Sequence, residues 1–195
     1  MKKIGVTGGI GSGKSLVCKI FRCLNVPVFS ADDEAKVLLE TDPEIRLTLT
    51  RFFGEKLFLS GKLNKQILAG LIFSNRKNMD IVNKTIHPAV FERFTEWFTR
   101  QSKVAYVIME AAIIFDTGAD RFLDNVINIT APEAIRIERV CNRDGVSKEK
   151  VIERINNQLT ENERKEKADI NLVNDGKMML LPQILEVHKL LSGNV

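Results

Sequence analysis

The sequence predicts an α/β fold of three layers, with helices covering a central parallel sheet. Three observations carry this prediction. Lys3 to Thr7 is a short apolar run that stops at glycine, and Leu16, Val17, Ile20, Phe21 and Leu24 then recur at three- and four-residue spacing, the pattern of a buried strand turning into an amphipathic helix. Further short apolar runs return along the chain between helix-period segments, as parallel strands joined by crossover helices do. At 195 residues, with 44% hydrophobic and 28% charged residues, the chain can bury a core in one body with small inserted lobes, but not in two large domains.

The elements follow in order. Val26-Pro27-Val28-Phe29 reads as the second strand, with Pro27 early in it, where a missing N–H costs least. Ser30-Ala31-Asp32-Asp33 comes at its carboxyl end, where open parallel sheets collect their ligand chemistry. From about Glu34 to Trp97 the pattern is mainly helical with no internal strand run. Gly54 and Ser60-Gly61 interrupt it, and Leu63, Ile67, Leu71, Ile72 and Phe73 resume it. That stretch exceeds a simple crossover, so part of it is expected to form a helical lobe over the ligand cleft. Ala105 to Ala112 reads as the central strand and Asn125 to Ile129 as the next. Pro132 to about Glu163 is helix, turn, helix, with Asp144-Gly145-Val146-Ser147 as the connection. Lys167 to Val173 is a final strand before the turn Asn174-Asp175-Gly176, and Lys177 to Leu191 is a last helix that accommodates Pro182 by a kink or a late start.

Charge and cysteines bound the function. Lys plus Arg is 29 and Asp plus Glu is 25, a net charge of +4, which suits a polyanionic small molecule or a nucleic acid without choosing between them. The basic residues form no block of five or six, which weighs against sequence-independent nucleic-acid binding. Cys18, Cys23 and Cys141 are an odd number with no C-x-x-C pair, the usage of free thiols in a reducing compartment. Met1-Lys2-Lys3 is not followed by the apolar core of a secretory leader, and no apolar stretch approaches the length of a membrane span. A cytoplasmic protein with no membrane and no obligate protein partner is the expectation.

Gly8-Gly9-Ile10-Gly11-Ser12-Gly13-Lys14-Ser15 matches G-x-x-x-x-G-K-[ST] in full, between the first strand and its helix. This is the phosphate-binding loop of the P-loop NTPase fold. Gly9, Ile10, Gly11, Ser12 and Gly13 let the backbone wrap phosphate oxygens, and the N–H groups of the new helix meet their charge. Lys14 is expected to bridge the β- and γ-phosphates of ATP, and Ser15 to offer its hydroxyl to Mg²⁺. The loop sets nucleotide and class but not the reaction. A guanine-reading N-K-x-D is lacking, since neither Asn64-Lys65 nor Asn83-Lys84 has the Asp, and a motor would be longer. A phosphotransferase is left ahead.

Asp32 is the candidate for activating an acceptor. Beside the first strand, the second would bring its carboxylate near the loop to take the acceptor proton, orient the hydroxyl or hold Mg²⁺ through water. Capping the next helix is the alternative, and not an exclusive one. Glu110 interrupts an apolar strand and so should reach the Mg²⁺ water shell or a basic partner; Asp116 is a second acidic choice. Arg136, Arg139 and Arg143 lie three and four apart on one helix, with Arg154 on the next. They either fork onto phosphate as a closing lid or form a solvated face paired with Glu138, Glu149 and Glu153. His87, before Pro88, is either a packing residue or a ligand contact.

Taken in order, these segments resemble one family, dephospho-CoA kinase. The resemblance runs through Ile4 to Ser15, Ser30-Ala31-Asp32, Ile86-His87-Pro88, Phe115-Asp116-Thr117-Gly118 and Arg143-Asp144-Gly145. It closes with Arg154-Ile155-Asn156-Asn157-Gln158 and Lys167-Ala168-Asp169 before Asn174-Asp175-Gly176. It implies ATP, Mg²⁺ and phosphorylation of the ribose 3'-hydroxyl of dephospho-CoA, giving CoA and ADP. The implied division is core at 1–31, acceptor-binding lobe and return to the core at 32–97, core at 98–135, lid at 136–163 and core at 164–195. Asp32 then matches a catalytic aspartate, Arg143 a lid arginine facing the ATP phosphates, and His87 an acceptor-side residue. Lys14 and Arg143 join Asp32 as catalytic candidates, and Glu110, Arg139 and Arg154 join His87 on the substrate side.

The sequence departs from the family pattern in three places. The first Asp of an Asp-Ala-Asp motif is Ser30, which takes away a carboxylate that could share a metal. Lys36 replaces an arginine or histidine, and Ala112-Ile113-Ile114 replaces Pro-Leu-Leu. The competing readings are a nucleoside or nucleotide kinase of the same fold, and an ATP-binding regulatory switch.

Overall fold

A computed structural model describes residues 1–59 and 62–193. The chain runs β1 (Lys2–Gly8), α1 (Lys14–Cys23), β2 (Val28–Ser30), α2 (Ala31–Thr41), α3 (Pro43–Phe53), β3 (Phe58–Leu59), β4 (Lys62–Leu63), α4 (Lys65–Ser74) and α5 (Arg76–Thr99). It continues through β5 (Tyr106–Glu110), α6 (Ile114–Thr117), β6 (Asn125–Thr130), α7 (Glu133–Asp144), α8 (Lys148–Asn156), α9 (Glu161–Lys167), β7 (Ile170–Val173) and α10 (Leu180–Ser192). These elements divide into two units, one of residues 1–30 and 101–195, the other of residues 31–100.

The first unit is built on a five-stranded parallel sheet ordered β2-β5-β1-β6-β7. β1 is therefore the middle strand, where the apolar pattern had suggested Ala105 to Ala112, and β5 separates β1 from β2, which do not lie side by side. Hydrophobic pattern marks a strand but carries no information about its neighbours, which crossovers decide. Ile4 sits opposite Ile108 of β5 and Asn125 of β6, and Val6 opposite Glu110 and Ile127. Gly5 allows close packing here, since a Cβ would fall 2.7 Å from Leu123 and 2.8 Å from Ile114.

One face of this sheet packs on α1 and α10. Ile4, Val6, Ile108, Ile127, Ile129 and Leu172 meet Val17, Cys18 and Phe21 of α1 and Ile184, Val187 and Leu191 of α10. Each such aliphatic or aromatic side chain contributes about 1.5–3 kcal/mol by leaving water. The Tyr106 hydroxyl lies 2.7 Å from His188 Nδ1 and ties β5 to α10. Pro182 falls in the first turn of α10, so the late start holds: no intrahelical hydrogen bond is lost there. The final strand begins at Ile170, because Lys167 belongs to α9, a third helix beyond the expected pair. Glu161–Lys167 has no apolar periodicity; it is held by a capping box in which Thr160 and Glu163 satisfy each other's backbone N–H groups.

The second unit is mainly helical. Asp42 caps α3 through Glu44 N at 2.9 Å and Ile45 N at 3.0 Å, Asn64 caps α4, and Asn75 caps α5. Along α5, Val82, Ile86, Val90 and Phe94 are buried at four-residue spacing, and the helix packs with α2 and α4. Pro88 lies inside α5, where it removes the amide that would bond the Lys84 carbonyl. The expectation of no strand in this region is corrected by β3 and β4, an antiparallel pair with Phe58 opposite Leu63. Two-residue strands are too short for alternation to show in sequence. Ser60-Gly61 and the side chain of Phe73 lie outside the described residues. No helix among the described residues is long and apolar enough to cross a membrane.

Candidate active site

The glycine-rich segment joins the buried end of β1 to the first turn of α1. Gly11 and Gly13 have φ of 79° and 96°, a region that an L side chain enters at a cost of about 1–2 kcal/mol. Sterics add to that. A Cβ at Gly11 would lie 2.5 Å from the Arg136 carbonyl oxygen, and one at Gly13 would lie 2.1 Å from Asn174 Nδ2. Ser12 N donates to the Gly9 carbonyl at 3.0 Å and closes the loop. No side chain caps α1, and its first turn carries no acidic residue, so the positive end of the helix is left for an anion. Gly13→Ala is expected to weaken ATP binding about tenfold or more through this clash and strain. Titration with a fluorescent ATP analogue measures it; unchanged affinity would contradict the placement of Asn174 against the loop.

Glu110 ends β5, buried at 5% exposure. Ser15 Oγ donates to Glu110 Oε1 at 2.7 Å, and Lys14 Nζ lies 3.4 Å from the same oxygen. The carboxylate thus has a cation and a hydroxyl beside it, on the side of the site that carries the phosphate loop. Mg²⁺ takes one or two protein oxygens and keeps the rest of its shell for phosphate and water. Ser15 Oγ with Glu110 Oε1 fits that demand, and no cage of three or more His, Cys, Asp or Glu exists among the described residues.

The arginines expected to act together have different surroundings. Arg136 is buried at 3% exposure. Arg139 donates to the Asn174 carbonyl at 3.1 Å and to its Oδ1 at 3.4 Å. Arg143 forks onto Asp144 at 2.7 and 3.1 Å, and Arg154 reaches the same carboxylate at 3.2 Å. The hydrogen bond from Arg143 holds the Asp144 carboxyl below its usual range and raises the guanidinium in return. Both arginines are substantially exposed. Asp116 is half-buried, and burial raises its carboxyl, an effect opposed in part by Arg164.

In the helical unit, Asp32 lies within the first turn of α2 beside Asp33 and Glu34. The helix starts at Ala31, so Asp32 is not the capping residue. It follows by two positions Ser30, whose partner across the sheet is Glu110. Asp33 is engaged by Lys36 at 2.7 Å on an exposed surface. His87 is half-buried in α5, where burial pushes its imidazole down.

Three residues with direct purchase on the loop were not assigned to it by sequence reasoning. Asn174 Nδ2 donates to the Ser12 carbonyl at 2.7 Å, while its own N–H bonds the Thr130 carbonyl at 2.8 Å. Gln158 Oε1 accepts from Ile10 N at 2.9 Å. Arg164 is buried at 3% exposure near Gly9. Asn174 had one usable signal, its position just past the end of a parallel strand; Gln158 and Arg164 reach the loop only through tertiary folding.

Comparison with known proteins joins this geometry to a lineage. The family model described as Dephospho-CoA kinase matches residues 2–179. A dephospho-CoA kinase of Bacteroides fragilis is 40% identical over 185 residues, spanning 95% of this chain and 90% of the relative. One from Porphyromonas gingivalis is 38% identical over 188 residues, spanning 96% and 93%. Among solved structures, a Thermus thermophilus protein superposes with a TM-score of 0.85 at 29% identity, covering 100% of this chain and 98% of its own. A dephospho-CoA kinase from Campylobacter jejuni gives 0.69 at 25%, covering 99% and 98%. A full phosphate loop on a five-stranded parallel sheet and a match across nearly the whole length lead to one conclusion: the chain belongs to the dephospho-CoA kinase family.

Proposed function

We infer that the protein transfers the terminal phosphoryl group of ATP to the ribose 3'-hydroxyl of dephospho-CoA, releasing CoA and ADP. The observation that carries this reading is the convergence of Lys14 and Ser15 of a complete phosphate loop on the single buried carboxylate of Glu110, in a chain of this family. Backbone N–H groups where the loop enters α1, from Gly13 to Ser15, hold the phosphates, while those of Ile10 and Ser12 keep the loop's shape through Gln158 and the Gly9 carbonyl, and Lys14 lies along the β and γ oxygens. Ser15, with Glu110 behind it, would hold Mg²⁺, which would supply positive charge against the charge that gathers on the transferring group. Glu110 orients the Ser15 hydroxyl and holds Lys14 in place.

Asp32 accepts the proton of the acceptor hydroxyl. The ribose oxygen forms its bond to the γ-phosphorus as the bond from that phosphorus to the β-bridging oxygen breaks, and ADP leaves with the electron pair. His87, in the same helical unit as Asp32, is assigned to the acceptor side. Arg143 and Arg154 are assigned to phosphate, which requires them to exchange Asp144 for an anion; Arg139 acts on the nucleotide side through Asn174. A cytoplasmic location belongs to the same reading, and the three cysteines are all free.

ADP formation with Mg-ATP, measured with and without dephospho-CoA and beside a panel of nucleosides and nucleotides, tests the assignment. Strong stimulation by dephospho-CoA, with conversion to CoA, is expected. A response only to a nucleoside or nucleotide would make the protein a kinase of another acceptor, and silence across the panel would favour a regulatory switch. Glu110→Gln is expected to raise the Mg²⁺ concentration for half-maximal rate about 10–100-fold, the usual effect of losing a group that orients a metal ligand. A magnesium titration at saturating ATP reads it directly.

A further inference from the structure

The loop has a second cationic wall, formed by two arginines, one on α7 and one on α9. A Cβ built on Gly9 would fall 2.2 Å from Arg136 Nη1 and 2.8 Å from Arg164 Nη2. Two guanidinium groups, one from α7 and one from α9, thus close on one glycine of the phosphate loop. Both residues are buried at 3% exposure. Arg164 is partly satisfied: it donates to the Leu159 carbonyl and to Glu161 Oε2, the latter at 2.9 Å. Arg136 has much less: its ion-pair partner, Glu133 Oε2, stands 4.0 Å from Nη2 and belongs to an exposed side chain. Nε and Nη1 of Arg136 and Nε of Arg164 have no hydrogen-bond partner among the described residues.

A buried guanidinium with unmet N–H groups is expensive, and a second one nearby adds repulsion. Burial holds Arg136 below its ordinary value; Glu161 opposes that effect and Arg164 adds to it. The half-buried Glu161 serves the pair only in part: its Oε2 accepts from Arg164 Nη2 at 2.9 Å, while its Oε1 and Nε and Nη1 of Arg136 have no hydrogen-bond partner among the described residues, so the carboxylate draws on Arg136 through space without bonding it. What does fit two forks facing a phosphate loop is a tetrahedral oxyanion, which accepts several charge-assisted bonds at once. Lys14 and Ser15 engage the phosphates from the helix end of the loop, and Arg136 and Arg164 stand at its strand end, beside Gly9.

We propose that Arg136 and Arg164 form a clamp for the terminal phosphoryl group of the nucleotide, distinct from the exposed Arg143 and Arg154 pair, and that Gly9 is glycine so that the clamp can close on the loop. The proposal rests on the nucleotide reading above and assigns the discrimination of triphosphate from diphosphate to these two side chains. In this arrangement ATP binds with both walls of the loop engaged, whereas ADP engages the helix end alone.

The test is isothermal titration of a non-hydrolysable ATP analogue and of ADP into the wild-type chain and into Arg136→Met, Arg164→Met, Arg136→Lys and Gly9→Ala. Thermal unfolding accompanies each as a check of folding. Methionine keeps length and apolar bulk, and lysine keeps charge without the fork, so at least one variant at position 136 remains folded for the measurement. The expected result is a loss of about 10–100-fold in affinity for the triphosphate analogue, with ADP affinity changed less than about twofold. Gly9→Ala should reproduce this selectivity loss, because its methyl group occupies the place of Arg136 Nη1. Equal losses for both nucleotides, or no loss for either in a folded variant, would overturn the clamp and leave the kinase reading standing. Failure of the wild-type chain to bind either nucleotide would overturn both together.

Discussion

Lys14→Ala should abolish measurable phosphoryl transfer, with kcat/KM for ATP falling on the order of 10³-fold or more, equivalent to about 4 kcal/mol or more of transition-state stabilisation. The size follows from where Lys14 stands. Its ammonium is 3.4 Å from Glu110 Oε1 in a largely enclosed site, where electrostatic interactions are worth more than in water. In the proposed reaction it is also the cation set beside the bond being broken. The same substitution leaves the Glu110 carboxylate buried without the ammonium beside it, so a lower Tm should accompany the loss of rate. The double variant Lys14→Ala, Glu110→Gln separates the two effects: Tm should recover toward wild type while activity stays absent. Recovery of activity in the double variant would show that Lys14 serves the fold alone.

Asp32→Asn carries the second large effect, a fall in kcat of about 10²–10⁴-fold, the range of a lost general base. Asparagine keeps the shape and can still orient a hydroxyl, but it cannot take the proton. Binding should therefore survive: the KM for ATP and the affinity for ADP are expected to stay within about threefold. Steady-state kinetics with dephospho-CoA as the varied substrate reads the split. A variant with normal kcat would reduce Asp32 to a residue of the first turn of α2, where a negative charge suits the helix dipole in any case.

The parts of this molecule that were readable in the chain are those set by local rules. Gly8 to Ser15 reveals its loop because glycines at positive φ, a lysine and a hydroxyl must recur at fixed spacing. Strand positions were readable from apolar runs, and α10 from the placement of Pro182. Neighbour relations were not. That β1 lies between β5 and β6, with β2 beyond β5, is settled by crossovers that leave no periodic mark. β3 and β4 were hidden by their length, and α9 by its lack of apolar residues.

The site divides along the same line. Lys14 and Ser15 were evident, and Glu110 drew notice as a charge in an apolar strand. Its meeting with Lys14 follows from the pairing of Val6 with Glu110 across β1 and β5. Arg136 looked like one of a series with Arg139 and Arg143, yet only it is fully buried, because its turn of α7 faces the loop while Arg143 sits at the exposed last turn. Helical spacing shows which residues share a stripe and says nothing of where along the stripe a neighbouring element ends.

The order in which the site's parts occur along the polymer has a bearing on synthesis. Ser15 is made early, but its carboxylate partner lies 95 residues on, and the Asn174 amide that braces Ser12 lies 162 residues on. Vectorial synthesis therefore produces the loop's own residues long before the groups that shape it, and β1 must wait for both of its flanking strands. A ribosome-bound chain halted before β7 would carry the whole glycine motif yet lack the strand and the amide that complete its support. Competence to hold a nucleotide should thus appear late and abruptly during translation, as expected where distant pairings dominate.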